Sequence, residues 1–146
     1  MAGSIIANYK AALLTQLKAN ATIAAVQCTY ADPGGSQRRE AVFLGDIETD
    51  DFVPEALAPG RRRRRESFTC EVFIEVSSKA TAQDAEARAV ELANAIETVL
   101  ADDPQLDNLS QLMFTTIRSL SMTTVQAEQV PVVQIRLLLD AEARLS

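Results

Sequence analysis

The sequence predicts an α+β domain, a mostly antiparallel sheet with helices packed on one face. Three observations predict it. The stretch "SFTCEVFIEVSS" alternates apolar and polar residues at period two, as a half-buried strand does. The stretch "KATAQDAEARAVELANAIETVLADDP" carries Ala85, Ala89, Leu92, Ile96, Val99 and Leu100 at helical spacing. The closing "VPVVQIRLLLDAEARL" alternates again, with Val133, Ile135, Leu137 and Leu139 against Val132, Gln134, Arg136 and Leu138. Strands flanking a helix whose stripe is rich in alanine imply close helix-on-sheet packing.

In chain order, Ser4 to Ala19 places Ile5, Ile6, Tyr9, Ala12, Leu13 and Leu17 on one helical face behind a Ser4 cap. "ATIAAVQCTY" then reads as a first strand, with Ala24, Val26, Cys28 and Tyr30 on one side. "ADPGGSQRRE" is turn chemistry, after which a second strand over about Glu40 to Ile47 is expected to pair back on the first. Residues 46–66 show no period and hold prolines, acids and then arginines, so they read as a long charged loop between the second and third strands. The third strand buries Phe68, Cys70, Val72, Ile74 and Val76; Phe73 falls on its other face, covered by a neighbouring element or by a subunit contact. Thr81 and Asp84 resemble a capping box, and Pro104 follows the end of the long helix. Met113 to Val125 and Val130 to Ala141 complete the sheet as a hairpin.

Composition bounds function. The 146 residues suit one domain, 1–146, and 47% apolar content with 5% aromatics points to an aliphatic core. No apolar run reaches the ~20 residues of a membrane span, and the N-terminus lacks a signal-peptide pattern, so a protein made and kept in a cytoplasm is expected. Cys28 and Cys70 have neither metal-ligand nor disulfide-framework spacing and read as small buried hydrophobes. The chain has no His, which removes the commonest general base and transition-metal ligand. Nucleophile-elbow, P-loop, zinc-protease and dinucleotide motifs are absent. Neither catalysis nor a cofactor is expected; the carboxylates of Asp102, Asp103 or the 46–55 cluster are the only enzyme candidates, and the first two read as solvated residues at a helix end.

Charge is segregated. Net charge is −6, yet Arg61, Arg62, Arg63, Arg64 and Arg65 run consecutively, a few residues after Asp46, Glu48, Asp50, Asp51 and Glu55. At ~3.3 Å per residue the arginines lie within one Debye length of about 8 Å and repel one another. Three readings of the run stand: a solvated loop, a contact with an acidic protein surface, or a contact with DNA phosphates. A nuclear-localisation reading fits the bare string as well.

Three stretches, "IIANYKAALLTQLKA", "ESFTCEVFIEV" leading into "TAQDAEARAVELANAIETVLADDP", and "VPVVQIRLLLDAEARL", together resemble the tail terminator proteins of long-tailed bacteriophages, a group related to minor tail and tail-completion proteins. The resemblance spans nearly the whole chain through its layout. It implies a non-catalytic virion protein that forms a hexameric ring, caps the tail tube, halts its polymerisation and docks the head–tail connector. The implied partners are other copies of the chain, the tube protein and the connector, with DNA only passing through the lumen and no membrane. Arg61 to Arg65 are then the candidate partner or lumen contact, and Asp46, Glu48, Asp50, Asp51 and Glu55 their candidate acidic partners on a neighbouring subunit. Other head–tail joining roles, and a small nucleic-acid-binding module using the arginines, are the alternatives. Against the module, no aromatics interleave with the basic run.

Overall fold

The computed structural model describes residues 4–36, 38–54, 64–127 and 130–145. Helix α1 (Ile6–Ala19) and the short α2 (Ala21–Ala24) precede strands β1 (Gln27–Thr29), β2 (Glu40–Pro54) and β3 (Arg64–Val76). The long helix α3 (Ala82–Asp102) then leads to β4 (Leu112–Ala127) and β5 (Val130–Leu145). The five strands form one sheet in the order β1-β2-β3-β5-β4, antiparallel except for the β1–β2 pair. This is the α+β architecture predicted.

One face of the sheet is apolar. Val42, Leu44, Phe68, Cys70, Val72, Ile74, Val133, Ile135, Leu137 and Leu139 are buried there, in one cluster with Tyr9, Leu13 and Leu17 of α1. From α3 the buried stripe is Ala85, Ala89, Leu92, Ala93, Ile96 and Leu100. Alanine along that stripe lets the helix approach the sheet closely, where the leucines and isoleucines fill the space that remains. Tyr9 meets Phe68 edge-to-face at 4.8 Å and shares a 2.7 Å hydrogen bond with the buried Thr115 hydroxyl. Burial pushes the Tyr9 hydroxyl and the Cys70 thiol up, the latter to about 12, so both stay neutral in the core.

Helix α3 begins as its sequence implies, with the Thr81 hydroxyl accepting from the Asp84 N–H at 3.2 Å. At its far end the Asp103 carboxylate accepts from the Asp107 N–H at 2.6 Å, and Leu106, Asp107 and Asn108 all take positive φ in the turn toward β4.

Four expectations are corrected. Ser4 is not the cap of α1: Ile5 holds that position, and Ser4 Oγ accepts from Ile6 N while donating to Glu66 Oε2 at 2.7 Å. The first strand is shorter than predicted, because Asn20 caps α2 through its side chain and Ala24 lies in that helix. The second strand does pair with it, but in parallel, Gln27 beside Ala41 and Thr29 beside Phe43, after a connection containing a 3₁₀ turn at Gly34–Ser36. Finally, much of the supposed loop 46–66 is strand. β2 continues to Pro54, paired with Arg64, and the segment between the strands shrinks to residues 55–63.

The physical reason for the last correction is a pair of bulges. Leu44 pairs with Val72 and Ile47 with Cys70, then Thr49 with Phe68 and Asp51 with Ser67, so β2 carries one extra residue at each place. Each extra residue shifts the period-two pattern by one and keeps Leu44, Ile47 and Thr49 all opposite core positions of β3. Gly45 sits in the first bulge because nothing larger fits; a Cβ there would meet Phe73 Cε2 at 2.7 Å and Glu71 Cβ at 2.9 Å.

Candidate assembly surface

The helices cover one face of the sheet and leave the other open. On the open face β2, β3 and β5, together with Arg118 of β4, carry charged residues among polar ones, and several pair across strands. Arg136 Nε lies 2.6 Å from Glu71 Oε2, Arg65 Nε 3.4 Å from Glu142 Oε1, and Arg118 Nη1 3.8 Å from Asp140 Oδ1. The Glu71 carboxylate also accepts from the backbone N–H of Asp46 at 3.3 Å, tying the bulge to β3. Asp46, Glu48, Glu71, Arg118 and Arg136 line one shallow cavity of about 320 Å³ on this face. Beside it, Phe73 stacks on Phe43 at 5.3 Å, so the aromatic that the sequence left without a partner is covered by its cross-strand neighbour.

Of the predicted site residues, the described part of the structure places the side chains of Asp46, Glu48 and Arg65. Asp46 and Glu48 stand exposed on the outer part of β2, brought together with Arg118 and Arg136. Asp50 and Asp51 belong to β2 by their backbone, and their side chains lie outside the described residues, as does Glu55 altogether. Arg61, Arg62 and Arg63 also lie outside them. Arg64 opens β3, its backbone paired with Pro54 and Leu145. Arg65 is strand as well, and its side chain is engaged by Glu142. Its Nε is buried without a hydrogen bond, so charge and not hydrogen-bond geometry holds that pair.

Next to the arginines sits a residue that the sequence reading gave no role. Glu66 is fully buried, its two oxygens receiving Ser4 Oγ at 2.7 Å and Ile5 N at 3.3 Å. A carboxylate at the start of α1 meets the unpaired N–H groups and positive dipole end of the helix. The arginine stretch is thus anchored at its C-terminal end to the first helix. The residues missed on the open face, Glu71, Arg118, Arg136, Asp140 and Glu142, each carry the only available signal, a charge at a polar position of an alternating strand. Which charge meets which is fixed by register, and register depends on the bulges.

Asp102 is exposed and Asp103 is committed to the turn after α3, so the two acids do not converge on a shared site. Among the described residues no cluster of three or more metal-ligating side chains occurs. No helix of the described residues is long and apolar enough to cross a membrane.

No protein-family model matches the chain, and no significant match is found among curated proteins. Solved structures do match. One, a chain of a structure described as "Virion of native gene transfer agent (GTA) particle", is 19% identical, covers 92% of this chain and 93% of its own, and superposes with a TM-score of 0.53. A second solved chain, 17% identical over 94% of this chain and 92% of its own, is more distant, at a TM-score of 0.43. The first match shows that the chain shares its fold with a component of that virion particle over 92% of its length.

Proposed function

We propose that this chain is a non-catalytic structural protein of a phage-like particle, a tail terminator that forms a ring on the tail tube, ends its polymerisation and presents the surface to which the head connector docks. One observation carries the reading: a structural likeness to a virion component over 92% of the chain joins a sheet face left open that bears charges of both signs. A ring built from one kind of subunit needs two different, complementary surfaces on each copy. The open face supplies both carboxylates and guanidiniums, suited to a polar contact that fixes register and suppresses wrong partners. The expected partners are further copies of the chain, the tube protein and the connector. The expected place is the head-proximal end of the tail, after assembly in the host cytoplasm. The nucleic-acid reading has less support, because Arg65 is already engaged by Glu142 and the described open face mixes both signs of charge.

Electron microscopy of particles made without the protein tests the reading. Tails longer than normal and not joined to heads are expected. Tails of normal length that merely fail to join would move the role to another head–tail joining step, and normal complete particles would overturn both. Light scattering of the purified protein adds a mass test, a hexamer being six times 15.8 kDa, about 95 kDa.

A further inference from the structure

The two edges of the sheet are unlike. At one edge β1 has three residues, and beyond it the outer side of β2 is guarded by the exposed acids Asp46 and Glu48, with Lys10 Nζ donating to Gly45 O at 3.0 Å. At the other edge β4 has 16 residues, and 118–126 are all exposed. Natural edges are blunted by shortness, Lys, Pro or inward charges. β4 has no Lys or Pro and, after Arg118, no charged residue. It also carries five of the eight large apolar side chains that are exposed among the described residues, so the apolar surface is concentrated on this one strand.

That surface is continuous with a helix. Leu120 pairs with Leu137 and Met122 with Ile135, which places both on the helix-covered side of the sheet. Thr124, on the same side, donates to Glu86 Oε2 of α3 at 2.6 Å. Val90, one turn after Glu86 on the same face of α3, is exposed beside them. Val90, Leu120 and Met122 thus form one apolar strip along the open edge.

We propose that β4 is a dimerisation edge that pairs antiparallel with β4 of a second copy about a two-fold axis at Ser121. In that register Leu120 faces Met122 of the partner subunit and Ser119 faces Thr123 of the partner subunit. Apolar meets apolar, hydroxyl meets hydroxyl, and no like charges oppose, the conditions under which cross-strand pairs stabilise. The strip of each copy, Val90 included, closes over that of the other while two sheets become one of ten strands. Pairing with the β2 edge of a second copy lacks this match, because it sets Asp46 and Glu48 against an uncharged strand. The proposal does not rest on the ring, since it uses the edge of the sheet and leaves the open face free.

Cysteine cross-linking tests the register. Ser121→Cys sets two thiols across the axis within the ~7 Å Cα separation that a disulfide tolerates, and mild oxidation is expected to convert most of the protein to a covalent dimer. Thr116→Cys places its two copies roughly 30 Å apart and is expected to stay uncross-linked, like the wild type with its own two cysteines. Met122→Lys, at an exposed position, is expected to raise the dimer dissociation constant at least ~10-fold with an unchanged thermal unfolding midpoint of the monomer. A wild type that is monomeric at ~100 μM overturns the proposal. So does a larger assembly in which Ser121→Cys does not cross-link, and that outcome leaves the ring reading standing.

Discussion

The two faces of the sheet are cut from the same strands, yet different forces hold them. On the helix side Val72, Ile74, Ile135 and Leu137 are fully buried, each contributing about 1.5–3 kcal/mol by leaving water. On the open side the same strands offer Glu71, Arg136, Asp140 and Glu142 in ion pairs whose side chains keep contact with solvent, each contributing about 0–1 kcal/mol. The fold is therefore secured by one face, and the other is free to be shaped by partners. That division explains how a chain without a recognisable motif can still present a specific surface.

Truncation on the helix side is the strongest way to break this comparison. Leu92→Ala or Ile74→Ala removes a fully buried side chain facing the sheet–helix seam, and each is expected to cost ~2–5 kcal/mol. Urea unfolding reads this directly; a midpoint equal to that of the wild type would mean that the covered face is not the source of stability. Glu71→Ala, made in the same strand but pointing outward, serves as the contrast and is expected to lie well below either.

Gly45→Ala sharpens the comparison, because it asks whether packing ever governs the open face. The added methyl would strike Phe73 Cε2 and Glu71 Cβ, and neither the stacked ring nor a strand-bound Cβ yields easily. A loss of about 1–3 kcal/mol is expected, along with loosening of the Phe43–Phe73 stack visible as broadened aromatic resonances. A neutral substitution would show that the bulge relaxes.

How far this was legible in the sequence follows the same division. β3, α3 and β5 were readable because their periods run unbroken: Phe68 to Val76 alternate, Ala85 to Leu100 follow the helical stripe, and Val133 to Leu139 alternate again. β2 past Gly45 was not, since each bulge inserts one residue and inverts the pattern that follows. β1 has only three residues, shorter than the alternation in "ATIAAVQCTY" suggests, because the Asn20 side chain caps a short helix that takes in Ala24. For the surface, the charges of the open face were visible as polar positions, but their pairing was hidden behind the bulges. Glu66 looked like the end of a solvated run because nothing local announces that its partners, Ser4 and Ile5, lie more than sixty residues away.

Between the two faces, at the rim, Glu40 joins β2 to α3. It accepts from Arg88 Nε and Nη2, both at 3.2 Å, and from Ser78 Oγ at 2.7 Å. Burial works to raise its pKa, but the hydrogen bonds from Ser78 and Arg88, with the charges of Arg88 and Lys79, outweigh it and hold the carboxyl below the ordinary range. A carboxyl depressed in the folded state contributes stability above its unfolded pKa and loses it as pH falls through the folded one. Stability is thus expected to drop on acidification below the ordinary carboxylate range, and Glu40→Gln should flatten that part of the profile. An unaltered pH profile in the variant would assign the acid sensitivity elsewhere.

The smallest effect belongs to the open face itself. Arg136→Ala breaks the 2.6 Å pair with Glu71, but the guanidinium is about half exposed, so its charge is already shared with water and with salt. The expected loss of folding stability is ~0.2–1 kcal/mol, shrinking further as ionic strength rises. The same substitution should matter far more to assembly, because a partner seated on this face removes the water that weakens the pair in the free subunit. Measuring both quantities in one variant separates the roles: folding stability from urea unfolding, assembly from the yield of complete particles. A substitution that leaves particles intact while unfolding the subunit by several kcal/mol would reverse the assignment of the two faces.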